Sequence, residues 1–195
     1  MTVEALSLTL CLVSGIFGRP AWDQSKCDER AAQLVEIAKR HGLDPRLLVA
    51  VNVQECDMRE GINALVTVGE GKHKRVVGVD ACPMGVRIMG AEALKPHDPV
   101  ALYEISAAKM EHWKRWCERG HQRNKPEPLF STKHHFIAHY NQGDPNYAHQ
   151  VLGFFAVLTG RLVKKSDEEK FTERTKEIVR RLLFAKKRQQ REQRS

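Results

Sequence analysis

Apolar side chains recur at helical spacing along most of this chain, and short polar or Gly/Pro-containing punctuation separates the runs. Three Asp-Pro steps, Asp44-Pro45, Asp98-Pro99 and Asp144-Pro145, each read as an N-cap followed by Pro at the first helical position. A further helix is predicted from Ser25, with a capping-box-like Asp28, to Gly42; its apolar face is Ala31, Leu34, Val35 and Ala38. Helical spacing also carries Leu102, Ile105, Met110, Trp113 and Trp116 after Asp98, a helix that ends by Gly120. After Asp144 the same spacing carries Tyr147, Val151, Leu152, Phe155 and Leu158. Between Gly61 and Asp80 the texture changes to two β-branched runs around a Gly-rich turn, which predicts a hairpin. Residues 120 to 131, rich in Pro, Arg and Lys, read as a surface loop. From Ser166-Asp167-Glu168-Glu169 a last amphipathic helix places Phe171, Ile178, Val179, Leu182 and Leu183 on one side. The expected fold class is therefore mainly α (α+β), with one short β-hairpin inserted after the second helix and a basic C-terminal helix.

Charge divides what periodicity joins. Residues 161 to 195 hold 13 Lys or Arg against 6 Asp or Glu, so they carry +7 of the total +8. A tail of that sign attracts polyanions, whether cell-wall polymer, acidic lipid or nucleic acid, and it equally suits a solvated helix face. No aromatic residue interleaves with Lys186-Lys187-Arg188, which speaks against a base-stacking platform there. At the other end, residues 5 to 17 have the length of a signal-peptide core and are too short to span a bilayer. Glu4 stands where such a signal would be positive, so a cleaved signal and a buried N-terminal helix both fit. Cleavage would remove Cys11 and leave Cys27, Cys56, Cys82 and Cys117, an even set compatible with two disulfides in three pairings or with free thiols. These divisions give segments 1–22, 23–162 and 163–195.

Several chemistries lack their motif. His135 and His139 stand at i, i+4, but the segment His-Phe-Ile-Ala-His lacks the Glu of a zinc protease, and no Cys pair has zinc-ligand spacing. There is no G-x-S-x-G elbow and no phosphate-cradling Gly-x-x-x-x-Gly-Lys loop. What the chain does offer is Glu55, at the end of the run Leu47-Leu48-Val49-Ala50-Val51-Asn52-Val53-Gln54. A carboxyl that follows so much aliphatic surface tends to lose water, which raises its pKa and suits it to general-acid work. Alone, the pattern reads better as a solvated Glu in the last turn of an amphipathic helix; the rest of the chain shifts that reading.

Three separated pieces, in order, carry a resemblance: Gly42 to Val51 running into Gln54-Glu55, then Cys82-Pro83-Met84-Gly85-Val86-Arg87-Ile88-Met89-Gly90, then Ile137-Ala138-His139-Tyr140-Asn141-Gln142-Gly143. Over roughly residues 28 to 160 the chain resembles the soluble lytic transglycosylase and goose-type lysozyme superfamily, which cleaves peptidoglycan. The resemblance implies a lysozyme-like helical domain in the cell envelope, periplasmic or secreted, from a bacterial or a viral source. It implies Glu55 as catalytic acid/base, Met84 and Gly85 as cleft wall, and Tyr140 and Asn141 as cleft residues that position the Glu or the sugar. Peptidoglycan strands are the implied partner, with no metal and no cofactor. In two places the chain departs from the family pattern. Cys56 replaces the Ser that usually follows the Glu and is available to a disulfide, and Arg87 or Ile88 stands where the family's Gln belongs.

The chemistry implied is cleavage between N-acetylmuramic acid and N-acetylglucosamine with formation of a 1,6-anhydro ring, for which one carboxylate suffices. A hydrolytic muramidase would need a second acid, about 6.5 to 9.5 Å away if it inverts, and Asp57 and Asp80 are the candidates. A catalytically silent wall-binding or structural module and a small nucleic-acid-binding protein complete the alternatives.

Overall fold

The structure, a computed structural model, describes residues 1–17, 21–119, 135–142, 144–161, 163 and 165–192; the predicted loop at 120 to 131 and Gly143 lie outside them. The fold is mainly helical, with one small antiparallel sheet. Helices α1 (Val3–Gly15) and α2 (Gln24–Arg40) come first, followed by α3 (Pro45–Cys56). Strands β1 (Gly61–Val68), β2 (Arg75–Cys82) and β3 (Val86–Met89) follow, then α4 (Pro99–Glu118), α5 (His135–Tyr140), α6 (Pro145–Leu158), α7 (Lys165–Glu168) and α8 (Glu173–Glu192).

The three Asp-Pro steps begin α3, α4 and α6. In each, the aspartate side chain accepts a hydrogen bond from the backbone N–H two residues on, at 2.9 Å. Helix α2 starts one residue before Ser25, because Asp23 is its cap and accepts from Lys26 N at 2.8 Å. α3 lies at the centre of the molecule, in contact with α2 and α6. Every side chain from Leu47 to Val53 is buried, as an apolar helix with no polar stripe requires. Asn52, the one polar residue in that run, donates from Nδ2 to the Tyr103 hydroxyl of α4 at 2.6 Å.

The sheet corrects the expected lone hairpin. β3 pairs antiparallel with β2, setting Asp80 opposite Arg87 and Val79 opposite Ile88. Gly85, at φ +61°, belongs to the tight turn between them, a conformation in which a Cβ is costly. Val79, Ala81, Val86 and Ile88 then pack with Ala93 and Leu102 in a small second apolar cluster, which gives the third strand its stabilisation.

Disulfide pairing also differs from the expected set. Cys11 bonds Cys27, joining α1 to α2, while Cys56 bonds Cys82, joining the end of α3 to the end of β2; Cys117 is a buried free thiol. The apolar segment at the N-terminus forms α1, whose Leu6, Leu10 and Val13 are fully buried in the main core.

The C-terminal segment is two helices, where one was expected. The chain breaks between α7 and α8 because Gln150 of α6 holds it: Gln150 Nε2 donates to Lys170 O, and Thr172 N donates to Gln150 Oε1, both at 3.1 Å. Thr172 then caps α8, its Oγ1 accepting from Thr175 N at 3.2 Å. Ile178, Val179 and Leu182 of α8 share the main core with α1, α3 and α6. Among the described residues, no helix is long and apolar enough to cross a membrane.

Candidate active site

The last turn of α3 is fixed from three directions. Asp57, in the left-handed region at φ 50°, turns the chain out of the helix. Arg174 at the start of α8 donates from Nη2 to the Val53 carbonyl at 3.0 Å and to Asp57 Oδ1 at 2.6 Å, satisfying a terminal carbonyl of the helix. The Cys56–Cys82 bond binds the residue after Glu55 to the strand end that leads into Pro83, Met84 and Gly85. Glu55 is therefore a side chain on a rigid helix end with the β2–β3 turn tied beside it.

That turn, the outer face of α4 and the end of α5 enclose a cleft of about 440 Å³ with Glu55 in its wall. Met84, Gly85, Tyr140 and Asn141 all line it, so the residues named from the three sequence pieces converge on one space. Gly85 lies close against Glu55: a Cβ built there would lie 2.6 Å from Glu55 Oε2 and 3.1 Å from its Cδ. Tyr140 is buried, and its hydroxyl donates to the Met84 carbonyl at 3.2 Å and lies 3.0 Å from Ser106 Oγ of α4. It therefore couples α5, α4 and the turn, and its ring stacks near that of Tyr147 with centroids 6.2 Å apart.

Burial holds the Glu55 carboxyl above the ordinary Glu range, and the nearby negative charge of Asp80 adds to the rise. Three groups oppose it: the Tyr147 hydroxyl, Lys109 and Arg174. Tyr147 is itself buried, and its hydroxyl acts on the carboxyl without a hydrogen bond of full geometry. Burial pushes the Lys109 ammonium down, against the charge of Glu55; its Nζ sits 4.6 Å from the centroid of the Tyr140 ring. A carboxyl so placed holds its proton to higher pH than an exposed Glu and can pass it to a bound group, with a cation and a hydroxyl at hand to steady the ionised form.

The two candidate second acids separate. Asp57 is engaged by Arg174 at 2.6 Å and Arg59 at 3.7 Å. Asp80 lines the cleft with Glu55, but Arg87 holds it through both oxygens, Nε to Oδ1 at 2.9 Å and Nη2 to Oδ2 at 3.1 Å. Sequence reasoning missed Lys109, Ser106 and Tyr147. Tyr147 had been placed only in a packing stripe, and Lys109 carries no local signal that separates it from other lysines on a helix surface. His139 stacks on Trp113 with centroids 5.0 Å apart and meets Trp116 edge-on at 5.2 Å. Among the described residues no group of three His, Cys, Asp or Glu side chains gathers to hold a metal ion.

No protein-family model, curated protein or solved structure matches this chain.

Proposed function

We propose that the chain is a peptidoglycan lytic transglycosylase of the cell envelope, with Glu55 as its only acid/base. The observation that carries this reading is the contact between Gly85 and Glu55. The turn resembling the family's cleft segment meets the carboxyl resembling its catalytic acid inside a polar cleft, where burial keeps that carboxyl above the usual range.

In the first step, protonated Glu55 gives its proton to the glycosidic oxygen as the bond from C1 of N-acetylmuramic acid breaks, and N-acetylglucosamine leaves with a free hydroxyl. The substrate's own N-acetyl oxygen stabilises the cationic C1. Glu55, now ionised and steadied by Lys109 and the Tyr147 hydroxyl, takes the proton from the C6 hydroxyl as that oxygen bonds to C1. The 1,6-anhydro ring closes, Glu55 is again protonated, and no water is consumed. Met84, Gly85, Tyr140 and Asn141 form the wall that orients the sugar, and the Tyr140 hydrogen bonds keep that wall in place.

One observation favours a second reading, a hydrolytic muramidase: Asp80 shares the cleft and could activate water. Its bidentate pairing with Arg87 favours the transglycosylase, because a base locked to a guanidinium is a poor proton acceptor. Mass spectrometry of the soluble products of peptidoglycan digestion separates the two. Anhydromuramic ends, one water lighter than reducing ends, are expected; reducing ends would establish hydrolysis, and no released product would reject both.

A further inference from the structure

The surface shared by α1 and α8 has no part in the cleft chemistry. On α8, Phe184 is 71% exposed, and Leu183 beside it is 41% exposed. Arg180 and Arg181 precede Phe184 by four and three residues, and Lys187 and Arg188 follow by three and four, so all four cations surround its ring on the helix surface. From Ile178 through Arg191 there are six Lys or Arg and no acid. One of them, Lys186, turns inward and donates to the Val157 carbonyl at 2.8 Å. Along α8 the patch is bracketed by two acids, Glu177, paired with Arg180 and Arg181, and Glu192, four residues after Arg188.

α1 supplies the complementary half. Residues 5 to 17 carry no charge; Leu8 is 45% exposed, and the half-buried Leu12 and Ile16 follow it at four-residue steps. Two shallow grooves join the helices there. One is lined by Ile16, Arg181 and Phe184 and the other by Leu8, Leu12 and Arg188, and both include Ala185.

We infer that this face is a docking surface for a lipid bilayer carrying anionic headgroups. The basic residues of α8 lie against the headgroups, while Phe184, Leu8, Leu12 and Ile16 enter the headgroup–acyl boundary. Charge complementarity selects an anionic partner, and the aliphatic stripe selects a bilayer among such partners. A phosphodiester polymer would satisfy the arginines but leave the exposed Leu8 and Phe184 in water, whereas a bilayer surface accommodates both halves. α1 and α8 are held in the fold by the Cys11–Cys27 bond and by the buried Ile178, Val179 and Leu182, so the surface is pre-formed and little ordering cost falls on binding.

The test is co-sedimentation of the full chain with vesicles of phosphatidylcholine alone and of phosphatidylcholine with phosphatidylglycerol, run alongside a DNA duplex. Retention on the phosphatidylglycerol vesicles is expected, with little on phosphatidylcholine and a decline as salt rises. Phe184→Ser should lower partitioning by roughly tenfold. The double variant Arg180→Glu/Lys187→Glu should lower it by at least roughly tenfold. Leu8→Ser, on the other helix, should weaken it as well. Absence of retention on phosphatidylglycerol vesicles, or retention unchanged in all three variants, overturns the proposal. So does binding to the duplex with none to vesicles, which would make the face a nucleic-acid surface.

Discussion

Gly85 presses its backbone against the Glu55 carboxyl so closely that a methyl group at that position would stand 2.6 Å from Oε2, and its φ of +61° disfavours any side chain. Both constraints act together in Gly85→Ala. The left-handed conformation alone costs about 1–2 kcal/mol, and the new methyl must displace the carboxyl or the turn. A lower melting temperature and at least roughly tenfold lower release of soluble fragments from peptidoglycan are expected, since small misplacements of reacting groups are expensive. Wild-type turnover in this variant would mean that the carboxyl position is immaterial.

Because burial, and then the Asp80 charge, lift the Glu55 pKa, the protonated form persists to higher pH in the folded chain than in the unfolded one. The stability it contributes is fully present below the unfolded pKa and is lost as pH rises through the folded value. Glu55→Gln cannot ionise. Its melting temperature should match the wild type at about pH 4 and exceed it at about pH 8. Wild-type lysis should decline on the alkaline side as the general acid loses its proton. Thermal melts across that range check the first expectation and a pH–rate profile the second; parallel melts at all pH values would show that the carboxyl titrates normally.

The Cys56–Cys82 bond joins α3 to the strand that leads into the cleft turn, closing a loop with a sequence separation of 26. Replacing both cysteines by Ser should cost about 3 kcal/mol of stability, which denaturant titration would measure. The cleft turn should loosen with it, lowering lytic activity even at temperatures where the variant is fully folded. Unchanged activity there would show that Tyr140 and the strand pairing alone hold the turn.

Asp80 tests the number of acids used. In a transglycosylase, Asp80→Asn keeps activity within about tenfold and still yields anhydro ends, but its alkaline limb moves to lower pH, because one cause of the raised Glu55 pKa is gone. Loss of the general base of a hydrolase would instead lower the rate by about 10²- to 10⁴-fold.

Local chemistry was the readable part of this chain. The Asp-Pro caps of α3, α4 and α6 need only adjacent residues, and the burial of α3 follows from a run with no polar stripe. What escaped depends on partners far away in sequence. The break between α7 and α8 is made by Gln150, some twenty residues upstream, and β3 exists because Val86 and Ile88 find Val79 and Leu102. Four residues, of which only Val86 and Ile88 face the cluster, are too short to announce a strand. The pairing of Cys11 with Cys27 was hidden because the first helix also reads as a removable segment. Glu55, Met84, Gly85, Tyr140 and Asn141 were all legible as motif pieces, whereas Lys109 acquires its character only when the fold sets it beside Glu55 and over Tyr140.

The central claim is that a single carboxyl, Glu55, performs the cleavage, and the most direct measurement compares wild type and Glu55→Gln in the release of soluble fragments from purified peptidoglycan. The wild type should solubilise the polymer to fragments with anhydro ends, and the variant, folded by circular dichroism, should be slower by at least about 10³-fold. Equal release by the two proteins would contradict the account.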